Sequence, residues 1–568
     1  MMNIMSLKKN RIASAALTTV PFIVVTLAWF YFAVLNPVPF WQQTGDYSWY
    51  ALSHAFTLES DLSGVRAINF GYNIHPGVPF GIASWLAFRL ATLGISESSN
   101  RISYAIAHAE NFWMWAKIIA LTLNLTGLYV IQRMFSKDLF RFLIASGLYF
   151  AAVPTVFGTS LAQLTNESFA LPFVAIFYFL TFKLLTAAGE REWDPANLKF
   201  TAETRNLCCS LGALTAIGCS IKIYYMAPAF GLVIAIFVAI GIAAIPKKAA
   251  FKMFIYGLAG FLFAGTIVVF ILGKSTALTW IGWNWGMLSH SDRYGTGSHS
   301  FMQWASVKAA LEKLIASTKD LFPLIIGSSM ILAVATTILR IRDNAWKRAN
   351  LPFAIALFTG ITINFLGLIK HYAPHYALPI CASLPCLLLI VKRNDSNQSH
   401  LRLGEIAVLI AVVIMFTINI RNYALEHAHQ ILNASATVRD EELIEKLPLA
   451  PGEKRVWGYF SPTKGGVTPM ITNYAGSEYV TQILKTTNAS DISPGDEKDT
   501  KNWRYVIFPK SYFPTAASIP ENYPKMFDFA TTNFTMHKDD QTRELETMFV
   551  LTRTPKPAPD LLYHDKSK

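Results

Sequence analysis

The chain has 568 residues, of which 53% are hydrophobic and only 15% charged, with 40 Phe, 22 Tyr and 14 Trp. Soluble domains carry about a quarter charged residues, so this balance excludes a large water-soluble enzyme, and equally a disordered chain, a collagen-like rod or a disulfide scaffold. The net charge of +13, from 49 Lys and Arg against 36 Asp and Glu, fits cytoplasmic loops facing anionic lipid better than nucleic-acid binding.

Lys8, Lys9 and Arg11 precede an apolar run, Ala13 to Leu35, about as long as the ~20 residues that cross a bilayer core. No small-x-small cleavage pattern follows it, which predicts an uncleaved first span with the N-terminus inside. The polar, aromatic stretch from Asn36 to His75 then lies outside. The next apolar run, Pro76 to Leu93, opens with Pro-Gly and carries Arg89. If it crossed, Arg133, Lys137 and Arg141 would lie outside, against the positive-inside rule. It is therefore expected to lie in the outer interface, leaving Phe112–Ile131 to run inward.

The remaining spans thread without conflict. Leu139–Thr155, Phe169–Leu185, Leu211–Tyr225, Gly231–Ile245, Met253–Leu272, Leu321–Leu339, Leu351–Ile369, Leu378–Val391 and Leu403–Ile420 alternate in direction. Every basic cluster between them falls on the side of the N-terminus. From about Arg421 the composition turns soluble, with short β-type runs at Arg455–Phe460, Tyr505–Pro509 and Met548–Thr552 separated by Gly, Pro and Asn turns. The five cysteines form no Cys-x-x-Cys pair and read as buried packing residues. The expectation is an all-α polytopic membrane domain of about 11 transmembrane helices over residues 1–420, followed by a small extracytoplasmic α/β or α+β domain over residues 421–568. There is no Walker A loop, no dinucleotide fingerprint and no internal repeat.

Ionisable residues at the outer face carry the functional information, because burying them near lipid is costly without a partner or a role. Asp46 opens an aromatic segment that contains His54; alone it is also a good helix N-cap. His75-Pro76-Gly77 leads into the interfacial helix. Glu167 stands where the chain re-enters the membrane, a position also favoured by the helix dipole. Lys222 ends its span, where a lysine can equally snorkel to the headgroups. A third outer loop carries Arg293 and Tyr294, and a fourth carries Lys370, His371, His375 and Tyr376. All converge on one membrane face. Two carboxylates opposite a cationic set (Lys222, Arg293, Lys370, with Arg66 and Arg89 nearby in sequence to the first loop) suit a reaction that deprotonates a nucleophile and releases a phosphate.

The order of these residues resembles the GT-C superfamily of integral-membrane glycosyltransferases, which includes protein O-mannosyltransferases and the lipid A aminoarabinose transferase, over roughly Ala13 to Arg393. Asp46 is similar to the family's first-loop acid, and Glu167 to the acid opening the span after the second outer loop. His75-Pro76-Gly77-Val78 resembles the His/Lys-Pro-Pro-Leu element with Gly for the second Pro. A small-residue span with Gly212 and Gly218 closes on Lys222, and His375-Tyr376-Ala377-Leu378-Pro379 resembles the late Arg/His-Tyr-x-x-Pro element. The resemblance implies a plasma (inner) membrane enzyme that takes a sugar from a polyprenyl-phosphate carrier and places it on a lipid, glycan or protein acceptor on the extracytoplasmic side.

In that reading Asp46 is the base of an inverting single displacement. Glu167 orients the acceptor, or holds a divalent metal where one is used. Lys222, Arg293 and Lys370 bind the donor phosphate, and His54, His75, Tyr294, His375 and Tyr376 contact substrate. Two other classes remain open: a transporter or flippase for a lipid-linked substrate, and a non-catalytic assembly subunit.

Overall fold

The computed structural model describes residues 2–42, 47–62, 77–136, 138–190, 200–272, 304–318, 340–370, 373–390, 398–457, 503–510 and 541–553, with isolated positions between them. Its contacts separate two compact units. One comprises Met1–Asn36, Gly71–Ser84 and Met114–Glu426; the other comprises Pro37–Phe70, Trp85–Trp113 and His427–Lys568.

Helix α1 spans Met2–Phe30 and closes in a π-helical turn, Tyr31–Leu35; α2 spans Tyr47–Leu62, α3 Val78–Ala91, α4 Ser98–Ala107, α5 Ala109–Met134 and α6 Leu139–Ala152. They are followed by α7 (Ala170–Glu190), α8 (Ala202–Ile221), α9 (Ala227–Gly241), α10 (Lys247–Leu272), α11 (Trp304–Thr318), α12 (Asn344–Lys370), α13 (Leu378–Leu387) and α14 (Gln398–Glu445). Among the described residues, seven stretches are long and apolar enough to cross a bilayer: Ala16–Leu35, Ala109–Met134, Asn166–Glu190, Ile223–Gly241, Lys247–Ile271, Asn350–Lys370 and Val408–Glu445. The pair Leu139–Ala152 and Val156–Ala162, bent by 108°, makes an eighth if it is one span. The protein is a multi-pass membrane protein.

The expected interfacial helix is α3, a short apolar helix. Of the other expected spans, Leu211–Tyr225 ends as a helix at Ile221 and continues in a 3-10 turn, and Leu378–Val391 holds only the ten-residue α13. Leu321–Leu339 lies largely outside the described residues.

Within the first unit α7 is the centre, packed by α8, α9, α12 and α13, with Phe173, Val174, Phe177 and Tyr178 buried in one continuous core. By contrast α10 leaves Phe263 71% and Phe270 87% exposed, a surface that only lipid covers favourably. Helices α8 and α10 approach closely because they meet at glycine: a Cβ on Gly212 would strike the Gly257 carbonyl, and one on Gly260 the Cys209 carbonyl. Small residues supply this kind of contact where the hydrophobic effect cannot drive helices together.

The 108° bend has a local cause. Pro154 cannot donate a helical hydrogen bond, so α6 stops at Ala152. The chain resumes in a π-helical turn, Val156–Ala162. Asn124 on α5 repairs the break by donating to the Ser160 carbonyl at 2.8 Å, while the Tyr149 and Ser160 hydroxyls pair at 2.9 Å.

In the second unit a four-stranded sheet is ordered β1 (Lys454–Trp457), β2 (Trp503–Pro509), β4 (Met548–Thr552), β3 (Gln541–Glu544). Strand β1 runs parallel to β2, and the other pairings are antiparallel. Ile444 near the end of α14 joins Trp457, Tyr505, Ile507, Met548 and Val550 in the core of this sheet. Asp440, one turn earlier, accepts hydrogen bonds from Thr547 N at 2.6 Å and Thr547 Oγ1 at 2.8 Å, which pins the β3–β4 turn to the helix.

The same unit holds a charged cluster. Glu59 on α2 is buried. It accepts from Arg101 Nε at 2.8 Å and Trp85 Nε1 at 3.0 Å, and Arg89 lies 3.4 Å away. Burial pushes the Glu59 carboxyl up, but the hydrogen bonds from Arg101 and Trp85 and the charges of Arg101 and Arg89 outweigh it and hold the group below the usual carboxylate range. A depressed folded-state value means that the stabilisation is present above the unfolded-state value and disappears as pH falls through the folded one. Thermal melts in detergent against pH should therefore show an acid limb that Glu59→Gln flattens; identical limbs in the two proteins would show that Glu59 adds no pH-linked stability.

Candidate functional site

Three helix interruptions in the first unit bring charge together. The first follows the bent span. Thr165 caps a 3-10 turn, Asn166–Phe169: its hydroxyl accepts from Glu167 N at 3.0 Å, and its own N–H donates to Ser168 Oγ at 3.1 Å. The Ser168 hydroxyl in turn donates to the Gln163 carbonyl at 3.0 Å, and Tyr225 Oη donates to the Asn166 carbonyl at 2.9 Å. The turn is thus fixed on both sides, and it presents Glu167 just before α7.

The second interruption is at Lys222. Here α8 ends in extended backbone, φ −161° and ψ 155°, before a 3-10 turn at Ile223–Met226. The third is the 3-10 turn Pro374–Ala377 between α12 and α13, opened by Pro374. At their meeting point Lys222 Nζ lies 2.6 Å from Glu167 Oε1, with both side chains buried. The ammonium sits 5.0 Å from the centroid of the Tyr376 ring, near enough for a cation–π contact. Tyr376 packs on Tyr224 at 4.8 Å and on His375 at 4.3 Å between centroids, and Glu167 also interacts electrostatically with His375. The second carboxylate oxygen, Oε2, accepts no hydrogen bond among the described residues.

Gly77 belongs to this junction. Its N–H donates to the Ile221 carbonyl at 3.3 Å, and a Cβ there would fall on the Ser220 carbonyl oxygen. Glycine at position 77 is therefore required by the approach of the chain to the residues just before Lys222.

Glu167, Lys222, His375 and Tyr376 are thus brought together, and Lys370 stands partly exposed at the end of α12, four residues before the Pro374 turn. His54 lies in the second unit, buried on α2. Arg89, counted with the nearby cations, is engaged by Glu59. Asp46, Arg66, His75, Arg293, Tyr294 and His371 lie outside the described residues. Sequence reading passed over Glu59 and Arg101, and also Tyr224 and Tyr225, although a Tyr-Tyr pair directly after Lys222 is an aromatic signal at a membrane boundary. Among the described residues, no group of three or more His, Cys, Asp and Glu side chains is arranged to hold a metal ion.

Solved structures similar to this chain include one of ArnT and two of oligosaccharyltransferases. ArnT from Cupriavidus metallidurans bound to undecaprenyl phosphate aligns at 12% identity and a TM-score of 0.46, covering 95% of this chain and 98% of that one. The Archaeoglobus fulgidus oligosaccharyltransferase in its apo form aligns at 12% identity and a TM-score of 0.47, covering 90% and 71%. The archaeal oligosaccharyltransferase AglB of the same organism, in complex with an inhibitory peptide and a dolichol phosphate, gives 12% and 0.45, covering 87% and 70%. At these scores the alignments assign no activity. No protein-family model matches the sequence, and no curated protein matches it.

The buried pair makes a measurable demand on stability. Removing one partner leaves an uncompensated charge, at a cost of about 3–5 kcal/mol. Lys222→Met and Glu167→Gln should each lower the melting temperature, and the double variant should recover most of the loss. A Lys222→Met melt indistinguishable from that of the unaltered protein would show that the pair is solvated.

Proposed function

We propose that the protein is a membrane glycosyltransferase that moves a sugar from a polyprenyl-phosphate carrier to a lipid, glycan or protein acceptor. The observation that carries this reading is the buried Glu167–Lys222 pair, 2.6 Å across, faced by Tyr376 and His375. A carboxylate, an ammonium and aromatic surface assembled where helices break are the groups that an acceptor hydroxyl and a departing phosphate require.

The reaction follows from the chemistry of the donor. A phosphate ester leaves readily, so no acid need protonate it. The acceptor oxygen attacks the anomeric carbon as the bond from that carbon to the phosphate oxygen breaks. The acceptor proton passes to the Asp46 carboxylate, and polyprenyl phosphate departs as an anion. One displacement inverts the anomeric centre, unlike the double displacement of retaining hydrolases. Glu167 orients the acceptor, or holds a divalent metal where one is used. Lys222 and Lys370 act as point charges on the phosphate and Arg293 as a fork; His54, His75, Tyr294, His375 and Tyr376 contact the sugar or the acceptor.

Threading by positive charge supports the placement that goes with this chemistry: about 11 spans in residues 1–420 of an inner-membrane protein, the N-terminus cytoplasmic and the soluble domain, residues 421–568, extracytoplasmic.

Transfer from polyprenyl-phosphate sugars in membranes tests the proposal. Asp46→Asn should lower turnover by about 10²–10⁴-fold with expression unchanged; near-normal turnover removes Asp46 as the base. Purified protein that moves a lipid-linked sugar across a bilayer without transferring it returns the transporter reading.

A further inference from the structure

A groove of about 430 Å³ runs between α1 and α14, and neither Glu167 nor Lys222 nor His375 lines it. Its walls are Val24, Leu27, Ala28, Phe32, Ile420 and Ala424, with Tyr31 and Arg421 also lining it. Its volume falls within the roughly 300–1,000 Å³ of sites that take small organic molecules. The walls are apolar, and Leu27 is 60% exposed, so lipid rather than water bathes them.

The groove is built, not a gap left by loose packing. Phe32 forms one side, held edge-on to Tyr423 at 4.7 Å between centroids. Tyr423 can come in because Gly158 has no side chain: a Cβ there would lie 2.8 Å from the tyrosine ring. The π-helical turn Tyr31–Leu35 widens the end of α1 at the same point.

Polarity is confined to one end. Arg421 follows directly on the apolar run Leu403–Ile420, which puts it at a bilayer boundary, where arginine collects, and Tyr31, within the last turns of the run Ala13 to Leu35, lines the same groove. Arg421 is exposed and forms no hydrogen bond or ion pair among the described residues; the nearest acid along its helix is Glu426, more than one turn further on.

We propose that this groove holds an anionic phospholipid of the bilayer, with the headgroup phosphate at Arg421 and Tyr31 and an acyl chain along Val24, Leu27 and Ala28. Strength of attraction decides between the candidate occupants. One cation near a membrane surface gives roughly a five-fold preference for an anion. That suffices to select among lipids present as solvent, by mass action. It is too little to recruit a scarce carrier lipid, so the occupant is bulk phospholipid rather than polyprenyl phosphate.

Native mass spectrometry of the full chain released from nanodiscs of phosphatidylcholine with one-fifth phosphatidylglycerol tests this. The unaltered protein should retain phosphatidylglycerol about five-fold above its share of the bilayer. Arg421→Gln should remove that enrichment and Arg421→Lys keep it. Ala424→Phe, which fills the groove, should reduce retention of both lipids. Arg421 is exposed, so its variants test the proposal whether or not Ala424→Phe folds. Enrichment unchanged in Arg421→Gln overturns the proposal, as does displacement of phosphatidylglycerol by equimolar decaprenyl phosphate. Neither result bears on the Glu167–Lys222 pair, which sugar transfer tests separately.

Discussion

A carboxylate buried among membrane helices is tolerable only beside a cation, and that constraint organises the first unit. Glu167 and Lys222 are 55 residues apart and meet at 2.6 Å. A regular helix projects its side chains radially and uses its backbone groups internally, so it places few ionisable groups at one point. The chain instead interrupts itself near each charged residue. Every interruption frees backbone N–H and C=O groups that lipid cannot satisfy, and the structure answers with local partners. Thr165 and Ser168 close one turn, Tyr225 takes the Asn166 carbonyl, and Gly77 takes the Ile221 carbonyl.

The same constraint explains why packing around the pair tolerates so little change. Gly77 lies against Ser220 and Ile221, and Gly218 leaves room for Phe173 and the Tyr225 carbonyl. A methyl group at either position would push on the backbone that sets Lys222. Because interiors are packed close to crystal density, such a push moves neighbours rather than filling space. The small residues near Lys222 thus act on electrostatics through distance, holding an ammonium where Coulomb attraction offsets the loss of hydration.

Hydropathy made most of the membrane helices legible, because a span needs only length and an absence of charge. The start of α3 at Val78, the acid ahead of α7 at Glu167 and the end of α8 before Lys222 could be read for the same reason. Strands β2 and β4 were visible as runs of buried β-branched and aromatic residues. Strand β3, Gln-Thr-Arg-Glu, was not, since all four of its residues are exposed at the sheet edge and carry no apolar alternation. The break at Pro154 was hidden inside a continuous apolar run that reads as one straight span. Nor could the sequence reveal Glu59 with Arg101: they are 42 residues apart, and no local pattern announces the pairing. The sequence does not show why position 77 must be glycine; the contact with Ser220 does.

The buried carboxylates of Glu59 and Glu167 differ in how fully they are hydrogen-bonded. Both oxygens of Glu59 are occupied: Arg101 and Arg89 reach Oε1, Trp85 and Arg89 reach Oε2. Two planar guanidinium groups and an indole N–H surround it, and such a carboxylate has no capacity left for a ligand. Glu167 is held through one oxygen by one ammonium, and its other oxygen accepts nothing among the described residues. A buried acceptor left open costs about 1–3 kcal/mol. Where stability is the sole requirement, a second donor or an apolar replacement would remove that cost. Of the two, Glu167 keeps an acceptor open to a further hydrogen-bond donor beside a cation and an aromatic ring, and Glu59 does not.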